Sequence, residues 1–528
     1  MNPAVQVRRA AYDAIVIGAG VNSLAAAATL AKAGRTVLVL ERRAAVGGAG
    51  SALEIEPGFH ADAAYDDIGW IPSSLVRDLD LTRHVRIVSS AMPVVAADGN
   101  DASLTFTASG PDLDGLRRLS PRDASRWPEF AGRVAAIAGF LRTLYAAPVP
   151  DTALDQAGDL RTALRLALKY RGLGRRDMVE VLRVLPMSVA EWLDDWFEHP
   201  LLKGALAARG VTHSAFGPRA AGTAFVFLHH QVAARPGAMR SGLRVEGGIG
   251  AFAAGLARAA QAAGAEVRTG AEVRRITAAR GAVDGVELAS GERIAAARVV
   301  SGASPRHTFL ELCDPARLEP GFVHAVSRIR YRGAFARVHF SLDGLPPLGG
   351  DRASGALVAP DMDYLERAAD DAKYGRASER PFVRAFVPTV ADPSRAPEGK
   401  HVLSAHVQYA PYRLREGRWD DAGREALGDR VMDTLERYLP GLKALVRRRE
   451  VLTPVDLERE FGLPEGHAYH GELALDQAMF MRPVPACSHY RSPVRGLYVC
   501  GPGAHPGGGT AGVAGANAAR TVLADGAP

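Results

Sequence analysis

The chain has 528 residues, of which 47% are hydrophobic, and its formal net charge is +6 at pH 7. A chain of this length exceeds a single hydrophobic core, so we expect two interleaved domains. No basic run is interleaved with aromatic residues, which argues against nucleic-acid binding. The three cysteines, Cys313, Cys487 and Cys500, are widely separated. That spacing predicts no disulfide-exchanging pair, no metal site and a reducing compartment.

The compartment is also predicted from the apolar runs of the sequence. Residues 1–11 contain Arg8 and Arg9 but lack the apolar stretch of a signal peptide. No apolar run in the sequence is long enough to cross a bilayer. We therefore expect a cytoplasmic protein.

The segment from Tyr12 to Gly50 has the order of a nucleotide-binding βαβ unit: strand, glycine turn, helix and strand. Gly18 permits the tight turn, and Gly20 lets the backbone approach a pyrophosphate lying on the N-terminus of the helix that begins near Asn22. Ser23 stands where this pattern usually has its third glycine. The predicted contacts in this turn are Gly18, Ala19, Gly20, Asn22 and Ser23.

Glu41 follows the second strand about 20 residues after the glycines, where a carboxylate accepts hydrogen bonds from the adenosine-ribose hydroxyls. Arg42 and the glycine pair Gly47-Gly48 come next, and glycines let the chain pass close to a pyrophosphate or flavin ring. Arg42 and Arg43 could instead meet the extra phosphate of NADP, but Glu41 would repel it. The order of acid, arginine and paired glycines resembles the FAD-binding amino-oxidase and phytoene-desaturase group. This resemblance implies FAD as the cofactor.

The C-terminal end fits the same cofactor. Residues 495–501 predict a short buried strand, 502–510 a glycine-rich loop and 511–523 a helix of small residues. In the resembled family this element lies against the isoalloxazine ring, where N–H groups and the helix dipole stabilise the charge of reduced flavin. The resemblance implies cofactor contacts from Gly501, Gly512 and Val513, and a backbone contact from Val273 to the adenine.

The remaining segments predict a substrate domain. Helices are expected at 129–145, 160–170 and 175–185, followed by a helix that a capping box opens at Ser188-Val189-Ala190-Glu191. Strands are expected at 334–342, 382–389 and 401–409.

The predicted fold class is α/β, with a Rossmann-type FAD-binding domain built on a glutathione-reductase-like parallel sheet. Segments 1–111, 241–330 and 441–528 would form this discontinuous domain. Segments 112–240 and 331–440 would form an interleaved α+β substrate domain with a helical cap.

Within the resembled group, the chain is most similar to the phytoene-desaturase-like proteins called pyridine nucleotide-disulfide oxidoreductase domain-containing protein two and their bacterial relatives. The resemblance covers nearly the whole chain. It rests on Gly47-Gly48-Ala49, Glu56-Pro57-Gly58-Phe59, Leu228-His229-His230, His470-Gly471, Leu475-Asp476-Gln477 and Met481-Arg482-Pro483. Ser23 and Pro502 depart from the family pattern in the glycine turns. Because the chain has no cysteine pair, we expect no disulfide chemistry despite that name.

A flavin takes hydride at N5, so the protein chiefly supplies orientation and a dry pocket. The catalytic candidates are His505, His230 and His229, and a structural, hydrogen-bonded role is the alternative for each of them. We expect His505 to lie on an exposed glycine-rich loop that reaches the flavin. His470, Tyr65 and Asp66 are further polar candidates.

The sequence therefore predicts an FAD-dependent dehydrogenase or desaturase that oxidises a largely apolar small molecule. No second glycine fingerprint follows a strand, so the expected electron acceptor is oxygen or a quinone rather than a docked nicotinamide. Two alternatives stay open: a redox-neutral polyene isomerase that uses reduced FAD, and a flavoprotein that mainly binds a partner protein. Arg161, Arg165 and Lys169 form a basic helical stripe, which suits either peripheral membrane contact or a solvated helix face.

Overall fold

The computed structural model describes residues 11–90, 92–100, 102–150, 157–349 and 353–526. Residues 1–10, most of the segment for which the sequence predicts no signal peptide, lie outside the described residues. The α-helices are Val21–Lys32, Ser73–Asp78, Leu113–Leu119, Pro121–Tyr145, Ala157–Arg171, Gly174–Val184, Val189–Asp194, Pro200–Val211, Thr223–Gln231, Gly248–Ala262, Pro305–His307, Pro320–Ser327, Met362–Lys373, Asp421–Tyr438, Leu442–Leu445, Pro454–Phe461 and Val513–Ala524.

A five-stranded parallel sheet forms the centre of the nucleotide-binding fold. Its strands, in spatial order, are Glu266–Arg268, Val37–Leu40, Ala14–Ile17, Val299–Ser301 and Leu497–Val499. The three central strands are buried along their whole length, because helices cover a parallel sheet on both faces. The predicted Rossmann-type α/β fold is confirmed, and strands far apart in sequence meet at one C-terminal edge.

A separate four-stranded sheet is formed by segments that neighbour strands of the parallel sheet in the sequence. Its strands, in spatial order, are Ala11–Tyr12, Arg293–Ala296, Ala282–Leu288 and Val273–Ala279. Two small antiparallel pairs complete this part of the molecule. They join Leu243–Val245 to Ile87–Ser89 and Ala52–Glu56 to Phe59–Asp62.

The second large sheet has eight strands and is mixed. In spatial order they are Val446–Leu452, Phe335–Leu342, His401–Gln408, Phe382–Phe386, Gly355–Val358, Val94–Ala97, Ser103–Thr107 and Gly110–Pro111. Residues 94–111 and 446–452 therefore pair with the predicted substrate sheet, although the boundaries predicted at 111 and 441 assign them to the cofactor domain. The predicted boundaries followed the change of secondary-structure pattern along the chain, whereas sheet membership is decided by pairing between distant strands.

The helices predicted between 112 and 240 are present. Pro121–Tyr145 begins eight residues before the predicted start, because the Ser120 hydroxyl caps it and Pro121 suits the first turn. The capping box at Ser188 and Glu191 is present. Within the described ranges, none of the helices has both the length and the apolar character needed to cross a membrane.

Candidate functional site

A cavity of about 540 Å³ opens at the C-terminal edge of the parallel sheet. This volume lies within the range of about 300–1,000 Å³ that small-molecule and cofactor pockets occupy. Its lining includes the predicted cofactor residues Gly18, Gly20, Asn22, Ser23, Glu41, Arg42, Gly47, Gly48, Val273 and Gly501. The parallel topology thus brings the three separate sequence regions together around one space.

The first glycine turn has the geometry needed for close approach of a pyrophosphate. Gly18 has φ +87°, a left-handed conformation that favours glycine. Gly20 precedes the helix Val21–Lys32, and a Cβ built there meets no atom within 4 Å in the described structure. The buried Oδ1 of Asn22 has no hydrogen-bond partner among the described residues and is available to a hydroxyl group of a ligand. These features fit the predicted dinucleotide.

Ser23 occupies the third glycine position because the neighbouring strand end supplies the missing space. A Cβ built at Gly302 would lie 1.9 Å from the Ser23 Oγ atom. The glycine that permits this close contact is therefore Gly302, which follows the strand Val299–Ser301, and not a residue of the helix. The departure that the sequence shows at Ser23 leaves the close packing of helix and sheet intact.

Glu41 connects the end of its strand to the glycine turn. One carboxylate oxygen accepts a hydrogen bond from the Ala19 N–H at 2.7 Å, and the other accepts one from the Arg43 N–H at 2.9 Å. Each carboxylate oxygen keeps a further lone pair for the ribose hydroxyls of a dinucleotide. The Ala19 N–H thus holds Glu41 in place, and the contact of Ala19 with the cofactor stays a prediction.

The second glycine pair lies directly against the first turn. Gly20 and Gly47 form a parallel bridge, and Gly47 has φ +118°. Arg43 donates one hydrogen bond to the Gly48 carbonyl and another to the Ser51 hydroxyl, both at 3.0 Å. Arg43 therefore fixes this loop, a role that the sequence did not assign to it.

The C-terminal loop also lines the cavity, through Gly501 and residues 508–511. A Cβ at Gly508 would lie 1.7 Å from the Tyr469 ring, so this position has room only for glycine. Gly512 precedes the helix Val513–Ala524 with φ +75° and packs against Leu75. Gly512 and Val513 follow the lining residue Ala511, and their contacts with the cofactor stay a prediction.

His505 does not occupy an exposed loop, and that expectation is wrong. The side chain is 0% exposed, and its ring packs edge-on against Tyr145 with centroids 5.7 Å apart. Burial lowers the pKa of His505 to about 3. The loop folds inward beneath Pro121–Tyr145, a long-range contact that the glycine content could not reveal. His505 does not line the cavity.

His229 holds the C-terminal glycine loop from behind. Its Nε2–H donates to the Gly508 carbonyl at 2.7 Å, which leaves Nδ1 to accept from the Tyr145 hydroxyl at 2.9 Å. Burial lowers the pKa of His229 to about 4, so the ring is neutral near pH 7. His229 also lies outside the cavity lining, and its geometry is that of a positioning residue.

His230 lines the cavity, but both of its ring nitrogens already have partners. Nδ1–H donates to the Arg209 carbonyl at 2.7 Å, and Nε2 accepts from the Tyr469 hydroxyl at 3.0 Å. Burial, together with the charge of Arg209, holds its pKa well below the usual value. The ring therefore orients Tyr469, which lines the cavity and whose hydroxyl oxygen can accept a further hydrogen bond.

Beyond the glycine turns the cavity becomes a buried polar chamber. Its lining there includes Arg209, His213, Arg384 and Tyr469, together with the sequence candidates Tyr65, Asp66 and His470. Arg384 donates to both carboxylate oxygens of Asp66, at 2.8 and 3.3 Å. Burial alone would raise the pKa of Asp66, but the surrounding arginines, Arg384 foremost, hold it well below the usual range. Burial lowers the pKa of Arg209 to about 10.

Arg209, His213, Arg384 and Tyr469 were not predicted as site residues. Arg384 carried a usable signal, because it is a lone charge in the apolar strand Phe382–Phe386, and such a charge must find a buried partner. His213 carried none, since it lies in a short connection and reaches the cavity through packing against Phe335 and Tyr469. Within the described ranges, no group of histidine, cysteine or acidic side chains is arranged to hold a metal ion.

Sequence comparison agrees with this geometry. The family model described as flavin containing amine oxidoreductase matches residues 24–523. Pyridine nucleotide-disulfide oxidoreductase domain-containing protein 2 of Rattus norvegicus is 37% identical, over 97% of this chain and 94% of the relative. A limonene dehydrogenase chain of Castellaniella defragrans is 29% identical over 97% and 94% of the two chains. The neurosporene-forming phytoene desaturase of Cereibacter sphaeroides is 26% identical over 100% and 97%.

Among solved structures, an oxidoreductase from Methanosarcina mazei has the same fold, with a TM-score of 0.63 at 19% identity and coverage of 97% and 99% of the two chains. The fold and site define an FAD-dependent oxidoreductase, and the predicted cofactor is confirmed. The chain belongs to the flavin containing amine oxidoreductase family.

Proposed function

We propose that the protein is a dehydrogenase or desaturase that oxidises a largely apolar small molecule bearing one polar group. Bound FAD would accept the hydride at N5 and return the electrons to oxygen or a quinone. The observation that carries the proposal is the continuity of one cavity, from the glycine turns at Gly20 and Gly47 to the chamber around Arg384 and Tyr469. A substrate in that chamber would lie beside the closing loop at residues 508–511.

The chamber residues bind and orient the substrate in this proposal. Arg209 supplies buried positive charge for a polar group, and its Nε has no hydrogen-bond partner among the described residues, which favours a substrate with an acceptor oxygen at one end. The Tyr469 hydroxyl donates to His230, so its oxygen is free to accept a hydrogen bond from the substrate. Burial raises the pKa of Tyr469, which keeps the hydroxyl protonated near pH 7.

Anaerobic mixing with a panel of small molecules tests the proposal, because a true substrate bleaches the flavin absorbance. Tyr469→Phe should slow flavin reduction about tenfold, the effect of one lost hydrogen bond of about 1.4 kcal/mol. Tyr498→Phe is the matched control, since the Tyr498 hydroxyl bonds to Asp525 outside the cavity. Isomerisation of a polyene without bleaching would instead support the redox-neutral alternative. Equal rates in both variants would remove Tyr469 from the substrate-binding residues.

We also propose that the helices Ala157–Arg171 and Gly174–Val184 contact a membrane surface. Five of the ten large apolar side chains exposed in the described structure lie on these two helices: Leu160, Leu164, Leu168, Val179 and Leu182. The basic stripe of Arg161, Arg165 and Lys169 runs beside them. Exposed leucines next to basic residues favour an anionic lipid surface over a merely solvated face.

Sedimentation with vesicles tests this contact. Leu164→Ser should reduce binding to vesicles rich in anionic lipid, while Leu345→Ser, an exposed leucine outside these helices, should not. Equal sedimentation of both variants and the parent protein would refute the contact.

A further inference from the structure

A second, smaller cavity of about 60 Å³ lies next to the flavin cavity. Tyr65, Asp66, Ile68 and Ile249 line both spaces and form the wall between them. The smaller cavity is distinct from the site described above, because its remaining lining comes from other segments. Those segments include the strand Phe335–Leu342 and the loop that follows Phe382–Phe386.

Four arginines line this small space: Arg240, Arg244, Arg337 and Arg395. Arg337 is 0% exposed and Arg395 is 6% exposed. A guanidinium carries five N–H donors and no acceptor, and its charge is costly to bury without a partner. Converging arginines of this kind need acceptors that the cavity must supply.

The described residues leave several of these donors without a hydrogen bond. They are Nε, Nη1 and Nη2 of Arg337, Nη1 of Arg240, Nη1 of Arg244 and Nη2 of Arg395. The Nη1 atom of Arg337 lies 3.5 Å from an Asp66 oxygen, an ion pair too long for a good hydrogen bond. Unpartnered donors on four arginines thus surround one small cavity.

The three carboxylates of the lining already accept hydrogen bonds, one of them from Arg395 of the same cavity. Asp62 accepts from the Ile249 N–H and from Arg395, both at 2.9 Å. Asp66 accepts from Arg384, and Asp392 accepts from the Gly247 N–H at 2.7 Å. These acids neutralise part of the positive charge, since Asp62 pairs with Arg395 and Asp66 with Arg337, but the donor atoms named above form no hydrogen bond with the described residues.

We propose that this cavity is a binding site for a small anion with the size and charge of a halide ion or a carboxylate group. An anion there would accept charge-assisted hydrogen bonds from the arginines, and the space is too small for a larger organic molecule. Water is the competing occupant for the same donors. Because Asp66 belongs to the shared wall and Arg384 lines the flavin cavity, the bound anion would also fix that wall.

Titration of the FAD-loaded protein with bromide or formate, at constant ionic strength in sodium gluconate, tests the proposal through the melting temperature. We expect a saturable rise. Arg244→Met should weaken bromide binding at least tenfold, and Arg337→Met should abolish it. Arg86→Met is the matched control, because Arg86 pairs with Glu246 outside the cavity and should leave bromide binding unchanged. Because Arg337 is fully buried, Arg337→Met can fail to fold, and Arg244→Met then still tests the proposal.

Anomalous diffraction from crystals of the FAD-loaded protein grown with bromide should show a peak between the four guanidinium groups. Hexanoate tests the size of the site: because the cavity is too small for its alkyl chain, formate should compete with bromide and hexanoate should not. Competition by hexanoate as strong as that by formate would contradict a site for a small free anion. A crystal showing water only, or a bromide effect equal in the parent protein and Arg244→Met, would overturn the proposal.

Discussion

Replacing Gly20 by alanine separates the cofactor role of the glycine turn from its structural role. Gly20 has φ −74° and ψ 169°, angles that alanine adopts without strain. A Cβ there meets no described atom within 4 Å, because it projects into the cavity. We therefore expect Gly20→Ala to fold normally and to lose FAD affinity.

The size of both effects follows from this geometry. Alanine at a compatible position stabilises a protein by about 0.4–1 kcal/mol, since the unfolded chain loses conformational freedom. A methyl group in the path of the pyrophosphate disrupts at least one charge-assisted hydrogen bond from the backbone, worth about 1.5–3 kcal/mol. The Kd for FAD should therefore rise by about 10-fold to 150-fold.

Two matched glycines serve as controls. Gly132, exposed in the helix Pro121–Tyr145, also has no atom within 4 Å of a built Cβ, so Gly132→Ala should stabilise the fold and leave FAD binding unchanged. Gly515 packs so closely that its Cβ would lie 1.8 Å from the Asn22 carbonyl oxygen. Gly515→Ala should therefore lower the melting temperature even without FAD.

The assay is a titration of cofactor-free protein with FAD, in which the quenching of flavin fluorescence measures binding. Calorimetric melting of the same samples measures stability. An unchanged Kd for Gly20→Ala, with normal stability, would refute the placement of the pyrophosphate at this turn. A large fall in melting temperature for the same variant would refute the claim that its Cβ position is open.

Three further predictions follow from buried polar groups. Glu41→Gln should raise the Kd for FAD by about tenfold, because an amide cannot accept hydrogen bonds from the Ala19 N–H, the Arg43 N–H and the ribose at once. Fluorescence titration measures this Kd, and an unchanged value would count against the ribose contact. His505→Ala should destabilise the fold by about 1–3 kcal/mol, because the side chain is fully buried, yet slow flavin reduction by much less than the factor of about 10² expected for a proton-transferring residue. Denaturant melts and stopped-flow reduction of matched FAD-loaded samples test both parts, and normal stability with strongly slowed reduction would reverse the interpretation. Burial lowers the pKa of His339 from 6.5 to about 3, so between these values the unfolded chain binds the extra proton and stability falls as the pH falls. His339→Gln should reduce the slope of melting temperature against pH in that window, where one such group contributes about 1.4 kcal/mol per pH unit; an identical slope would contradict this assignment.

The sequence determined the cofactor half of the protein because its signals are local. A tight turn at Gly18, a close backbone approach at Gly20 and an acid at the end of the next strand depend on neighbouring residues, and the described structure retains all three. The same locality explains why the capping box at Ser188 was predictable. The strand Phe335–Leu342 was predicted at 334–342 from the alternation of side chains along it, which is also a local signal.

Only the tertiary structure decided which polar side chains reach the chamber. Arg384 meets Asp66 although 318 positions separate them, and His230 meets Tyr469 across 239 positions. His505 follows glycines that suggested an exposed loop, yet the helix Pro121–Tyr145 buries it. Local patterns fix turns and strands through backbone geometry, whereas the direction and partners of a buried side chain depend on packing between distant segments, which no single stretch of sequence contains.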